Sequence, residues 1–169
     1  MNTQQRRKEI ARRLQHADAP ISATALAQEL SVSRQIIVGD VALLRAGGME
    51  ITATPRGYLV PKEAFRILRT FACRHRSDQM EEELNAIVDQ GCTVVDVIVE
   101  HPVYGQLTAP LHISSRYDVE QFILRCRQSD AVPLSQLTEG IHLHTVSCRD
   151  QQSADRVQKA LAKLGFLYH

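Results

Sequence analysis

The sequence predicts an α+β protein: a winged helix-turn-helix over residues 1–62, followed by a ferredoxin-like β-α-β-β-α-β-α domain over residues 63–169. Two patterns carry that expectation. Up to Gly47-Gly48 the apolar residues recur at three- and four-residue spacings behind capping residues, and two short extended runs hinged on Pro55-Arg56 follow. Beyond residue 66, runs rich in β-branched residues alternate with amphipathic stretches in the order of a split β-α-β sandwich closed by one more helix. A third observation concerns chemistry rather than fold. His142-Leu143-His144 places two imidazoles on one face of an expected strand, because alternate strand residues stand side by side.

In the first part, residues 3–17 read as a helix with Thr3 as its cap and Ile10 and Leu14 as its apolar stripe. Asp18-Ala19-Pro20 ends it, and Ser22 caps a second helix over 23–30 whose Leu26 and Leu30 are spaced i, i+4. The turn Ser31-Val32-Ser33 leads into a third helix with Ile37, Val41 and Leu44 facing the core. Extended runs at 50–54 and 57–60 form the wing. Residues 61–65 are the expected junction. In the second part the expected order is strand Ile67–Arg74, helix 77–89 stopped by Gly91, strand 92–99, strand 106–113, helix 117–127, strand Ile141–Cys148 and helix 153–164.

The chain has 169 residues, 44% of them hydrophobic, enough apolar content for two small cores. Its net charge of +1 conceals an asymmetry: nine Lys and Arg against five Asp and Glu through residue 62, then eleven against fourteen. A basic front half suits a polyanion. The four cysteines (Cys73, Cys92, Cys126, Cys148) form no C-x-x-C pair and read as reduced, mostly buried thiols. No run approaches the ~20 apolar residues of a membrane span, and the polar N-terminus lacks the apolar core of a signal peptide. The expected location is cytoplasmic. No phosphate loop, nucleophile elbow or cofactor signature appears.

In a helix-turn-helix the second helix enters the major groove and presents its first side chains to the bases. Those are Ser33, Arg34, Gln35 and Val38. Arginine takes guanine bidentately, glutamine does the same for adenine, and serine suits a phosphate. Arg56 at the wing tip and Arg45 are candidates for further contacts to the nucleic-acid backbone or minor groove. The expected partner is double-stranded operator DNA, bound by a homodimer.

Ile21-Ser22, Leu26-Ala27, Leu30-Ser31-Val32-Ser33-Arg34-Gln35-Ile36-Ile37-Val38, Asp40-Val41-Ala42-Leu43-Leu44-Arg45 and the wing Ala53-Thr54-Pro55-Arg56-Gly57-Tyr58 closely resemble the head of the niacin-responsive transcriptional repressors, within the biotin-repressor-like winged-helix group. Gly39 stands where that head usually carries a larger polar residue, and mid-helix it costs roughly 1 kcal/mol against alanine.

In the second part, Met80, Leu84, Ile87 and Val88 define a buried helix face, which leaves Glu82 to solvent and Glu81 and Glu83 flanking the core on opposite sides. Periodicity does not choose between those two. His16, His112 and His169 belong to no constellation. His101, in His101-Pro102-Val103-Tyr104-Gly105, sits at a strand end and serves either an effector or a turn. His75, His101-Pro102-Val103-Tyr104-Gly105 and the run Leu137-Thr138 to His142-Leu143-His144-Thr145 resemble the 3H domain that follows the winged helix in the same family. The resemblance implies a metal held by His75, Glu83, His142 and His144, with nicotinic acid as effector. Three imidazoles and a carboxylate suit Zn, Ni or Fe(II), and a ligand set without thiolate disfavours a closed structural zinc site. His101 and Tyr104, with Arg74 or Arg116, are candidate effector contacts.

The expected function is repression of NAD-biosynthesis or niacin-transport genes by a metal-bearing sensor domain, with nicotinic acid as corepressor. A metal-responsive repressor and a small metalloenzyme with an appended helix-turn-helix are the alternatives.

Overall fold

In the computed structural model, residues 2–61 and 66–169 are described. Apart from Pro61, the expected junction at 61–65 lies outside them. The chain divides into two compact units, residues 1–63 and 64–169.

Unit one contains α1 (Thr3–His16), α2 (Ala23–Glu29), α3 (Arg34–Ala46) and the hairpin β1 (Thr52–Thr54) and β2 (Gly57–Leu59). The cap of α1 is Asn2, one residue earlier than expected. Its side chain accepts from the Gln5 amide while the Gln5 side chain accepts from the Asn2 amide, satisfying two otherwise orphaned donors. Ser22 and Ser33 cap α2 and α3 through their hydroxyls. Ile10, Leu14, Leu26, Ile37 and Val41 form the centre of the core. A charge pair that periodicity does not reveal braces it: Arg6 Nε donates to the buried Asp40 carboxylate at 2.6 Å, tying α1 to α3. Tyr58 exchanges two backbone hydrogen bonds with Ile21, so the segment before α2 adds a third extended piece to the wing. Gly57 permits that contact. Its φ is +139°, and a Cβ there would stand 2.4 Å from the Ile21 backbone.

Unit two contains β3 (Ile67–Arg74), α4 (Met80–Val88), β4 (Thr93–His101), β5 (Gly105–Ile113), α5 (Arg116–Gln128), β6 (Ile141–Cys148) and α6 (Gln151–Lys163), with short 3₁₀ turns at Ser77–Gln79 and Leu134–Thr138. The element order is the expected one. The sheet order is β3-β6-β4-β5 with every neighbouring pair antiparallel. Both β-α-β units are therefore split by an intervening strand, as in a ferredoxin-like sandwich. One feature departs from that arrangement: a ferredoxin-like sheet carries its last strand at an edge, whereas β6 lies between β3 and β4. The difference gives the His142-Leu143-His144 strand a paired neighbour on both sides.

Phe71, Cys73, Val94, Leu111, Ile113, Val146 and Cys148 share one sheet face and pack against Leu84 and Ile87 of α4, Val119 and Ile123 of α5 and Val157 and Leu161 of α6. After α6 the chain returns along β3, with the Arg74 amide donating to the Phe166 carbonyl and the Tyr168 amide to the Ala72 carbonyl. This return covers the open edge of β3, which would otherwise present unpaired backbone groups.

Two glycines give opposite expectations for stability. Gly57→Ala introduces both positive-φ strain and a backbone collision, and lowers unit-one stability by more than about 2 kcal/mol in denaturant unfolding. Gly39 is exposed in mid-α3 with open space around its Cβ position, so Gly39→Ala raises stability by roughly 0.5–1 kcal/mol. Equal effects of the two substitutions would contradict this account of the wing.

Candidate metal centre

Strand register brings the first components together. On one face of the β3–β6 ladder, Cys73 is paired with His142 and Phe71 with His144. His75 follows the end of β3, and α4 lays Glu83 over the same spot. Expected as one helix over 77–89, this segment is instead a 3₁₀ turn followed by α4. Of the three consecutive glutamates, Glu81 and Glu82 are exposed and Glu83 is fully buried, which resolves what periodicity left open. The structure brings His75, Glu83, His142 and His144 into one buried cluster.

Glu83 lies at its centre. His75 Nε2 approaches Oε2 at 2.6 Å, His142 Nε2 approaches Oε1 at 2.9 Å, and His144 Nε2 approaches Oε2 at 3.3 Å. The other nitrogen of each ring meets a backbone carbonyl: His75 Nδ1 that of Arg76 at 2.7 Å, His142 Nδ1 that of Gly140 at 2.8 Å, and His144 Nδ1 that of Asp96 at 2.7 Å. A carbonyl only accepts, so each Nδ1 carries the hydrogen. In the neutral ring, Nε2 is then a bare lone pair. Three lone pairs converge on a carboxylate that also only accepts. Such a cluster is stable if the rings are protonated or if a cation lies among them, and imidazoles oriented through the opposite nitrogen are the usual arrangement of metal-bound histidine.

The supporting backbone is built for this purpose. Between β4 and β6 the pairing shifts by one residue in the stretch that includes Asp96, as a β-bulge does when it re-aims the chain. The Asp96 carbonyl reaches His144 there, and its carboxylate accepts from the Thr145 amide at 2.9 Å. Gly140 has φ +89°, and a Cβ would stand 2.4 Å from the His75 carbonyl oxygen. Only glycine brings that carbonyl close enough to hold His142 without displacing His75. The turn before it is closed by Gly140 N–H donating to the Ser135 carbonyl and by the Thr138 hydroxyl donating to the carbonyl of Ile141.

Cys73 also belongs to the cluster. Its sulfur, a Glu83 oxygen and a His142 nitrogen lie within 4.8 Å of one another. Burial and, after it, the neighbouring Glu83 carboxylate push this thiol well up from its ordinary range. In the sequence Cys73 is one buried thiol among four. His75 lies just beyond the end of β3, so strand alternation does not link it to Cys73, and only the cross-strand pairing with His142 brings the thiol to the cluster. The contributions of Asp96 and Gly140 depend on the bulge and the loop path, which no local pattern announces.

His101 and Tyr104 lie in the β4–β5 turn. His101 Nδ1 accepts from the Val103 and Tyr104 amides at 3.1 and 3.2 Å, and the two rings pack at 5.0 Å. His101 thus organises the hairpin, and Tyr104 is exposed. Arg116 is held in a bidentate pair with Asp89. Beside the cluster opens a cavity of about 500 Å³ lined by Arg74, His75, Arg76, Ser77, Ser135 and Glu139 among others.

In unit one, Arg34 and Gln35 are exposed in the first turn of α3, as base-reading side chains must be. Ser33 uses its hydroxyl as the helix cap, and Val38 is half-buried against the core because its position turns toward Ile37 and Val41. Arg45 is occupied by the Ile51 carbonyl at 2.8 Å and lies over the Tyr58 ring, so it braces the wing. Arg56 lies in the turn between β1 and β2.

Burial is the largest single influence on Glu83 and opposes its charge, but His144 and the hydrogen bonds that all three imidazoles donate when protonated hold its carboxyl well below the usual range. Burial likewise opposes charge on His75 and His144, and Glu83 outweighs it and raises both. A raised histidine stabilises the fold fully below its unfolded value of 6.5, and that contribution is lost as pH rises through the higher folded value. The lowered glutamate stabilises above 4.5, and its contribution is lost as pH falls. Chelator-treated protein is therefore expected to melt at its highest temperature between about pH 4.5 and 6.5 and progressively lower as pH rises beyond that window, with Glu83→Gln flattening the alkaline fall. A melting temperature that rises from pH 6.5 to 8.5 in chelator would contradict this electrostatic account.

The description of an HTH domain matches residues 6–59, and that of a 3H domain matches residues 68–169. The chain is 42% identical over 164 residues to the probable transcription repressor NiaR of Thermotoga maritima, covering 97% of this chain and 94% of that one. It is 41% identical over 166 residues to the transcription repressor NadR of Bacillus subtilis, covering 96% and 92%. With two domain types in the same order and relatives matched over nearly their whole length, the chain belongs to the family of niacin-responsive transcription repressors, DNA-binding regulators rather than enzymes.

Proposed function

We propose that the protein represses NAD-biosynthesis or niacin-transport genes, with a divalent transition metal (Zn, Ni or Fe) and nicotinic acid bound to its second half. Residues 1–62 form the DNA-binding domain in this reading and residues 63–169 the metal- and effector-binding domain. One observation carries the metal: three histidine Nε2 atoms, on rings held through Nδ1 by backbone carbonyls, converge on one buried carboxylate. His75, Glu83, His142 and His144 would hold the ion. When bound it supplies a fixed positive charge and a point of attachment for an anion.

Nicotinic acid is an anion at neutral pH, and the cavity beside His75 has the volume of a small-molecule site. Arg74 is the favoured partner for its carboxylate, because Arg116 is occupied by Asp89 and His101 by its own turn. Operator DNA meets Arg34 and Gln35 at the start of α3, and Arg56 in the wing adds a contact outside the bases. A homodimer presents two α3 helices to half-sites one or more turns of DNA apart. The effector acts by favouring the dimer arrangement whose helices match that spacing.

The near-complete burial of the cluster favours a second reading in which the ion itself is the signal. Band-shift titrations on promoter fragments of niacin-uptake or NAD-biosynthesis genes separate the two. With metal present, nicotinate is expected to raise operator affinity by about 5- to 150-fold, the span of ordinary allosteric coupling. Arg34→Ala weakens specific binding by about 1–3 kcal/mol and relaxes base preference at one position. Affinity that responds to metal but not to nicotinate would replace the corepressor reading with the metal-responsive one.

A further inference from the structure

We infer that Cys73 is a fifth ligand, so that the ion is held by three imidazoles, one carboxylate and one thiolate. This rests on the metal reading above and goes beyond its four ligands.

The first observation is position. Cys73 is paired directly with His142 across the β3–β6 ladder, and its sulfur lies within 4.8 Å of both a Glu83 oxygen and a His142 nitrogen. Three ligand atoms spread around one zinc-sized ion are separated by about 3.8 Å, given bonds of ~2.3 Å to sulfur and ~2.1 Å to nitrogen. The Cys73, Glu83 and His142 atoms therefore have to draw together by at most about 1 Å to share an ion.

The second observation is charge. Cys73, Glu83, His142 and His144 are all at most 3% exposed. A divalent ion with neutral imidazoles and Glu83 alone leaves a net positive charge among side chains that are almost wholly buried, which is costly. A thiolate brings the sum to zero. On binding, the S–H bond breaks, its electron pair forms the bond to the ion, and the proton leaves to buffer. No oxidant or reductant is needed. A sulfur ligand also biases the site toward Zn, Ni and Co and away from Mg and Mn.

Cobalt(II) is the probe, because sulfur ligation has its own optical signature. The metal-free full-length protein is titrated with cobalt(II) and its spectrum recorded. The wild type is expected to show visible ligand-field bands and, in addition, a near-ultraviolet sulfur-to-cobalt charge-transfer band. Cys73→Ser keeps the visible bands, loses the near-ultraviolet band and binds cobalt about 10- to 100-fold more weakly, a range taken from losses at metal-supporting residues. Cys126→Ser, which alters a thiol outside the cluster, retains both bands. Cys73→Ala serves if the serine variant does not fold, as judged by circular dichroism, and is expected to behave in the same way. Visible bands without the charge-transfer band in wild type, or a charge-transfer band surviving in the Cys73 variants, overturns the inference and leaves the four-ligand reading intact. No cobalt spectrum at all overturns both.

Discussion

The second half of this protein is organised around one buried cluster that neutral rings cannot satisfy: three imidazoles whose Nε2 atoms all meet an acceptor. Each imidazole is fixed by a hydrogen bond to a carbonyl, from Arg76, Gly140 and Asp96, and the remaining nitrogens all face Glu83. Protonating the rings satisfies the hydrogen bonds, at the cost of gathering positive charge where water is excluded. A bound cation uses the same lone pairs directly. The proposed metal follows from this choice, and so does the expected alkaline weakness of the metal-free fold.

Much of the surrounding architecture serves to maintain that cluster. The central placement of β6 gives His142 and His144 neighbours on both sides, Cys73 and Phe71 from β3 and the bulged stretch of β4. The positive φ of Gly140 lets its carbonyl reach His142 while its bare Cα lies against His75. The chain end packs Phe166 against the His75 ring at 5.0 Å and seals the edge of β3. These supports come from segments far apart in sequence, so the cluster depends on the fold of the whole unit. No helix is long and apolar enough to cross a membrane among the described residues.

Element order was legible in the sequence because it rests on short-range periodicity. The stripe Ile10, Leu14 and the stripe Ile37, Val41 both end buried, and Ser22 and Ser33 cap as their positions suggest. Strand order was not legible. It depends on which strands pair across long loops, and it sets whether the histidine strand is central or at an edge. Periodicity left Glu81 and Glu83 undecided because both flank the apolar face, and the 3₁₀ turn ahead of α4 fixes which one turns inward. The resemblance to a known family supplied the four clustered residues but not Cys73, which enters only through cross-strand register. Polarity and helix position do not tell whether a side chain is already occupied: Arg45 is exposed yet held by the Ile51 carbonyl, and Val38 packs half-buried against the core.

Anomalous X-ray scattering tests the central claim most directly. Crystals of the full chain grown with nickel or zinc are measured on both sides of the metal absorption edge. The account predicts one strong anomalous peak per chain, at roughly 2.0–2.2 Å from Nε2 of His75, His142 and His144 and from a Glu83 oxygen. Each Nδ1 should remain on its carbonyl. A cluster without a peak, in which the imidazoles still contact Glu83 directly, would show that protons rather than a metal satisfy it.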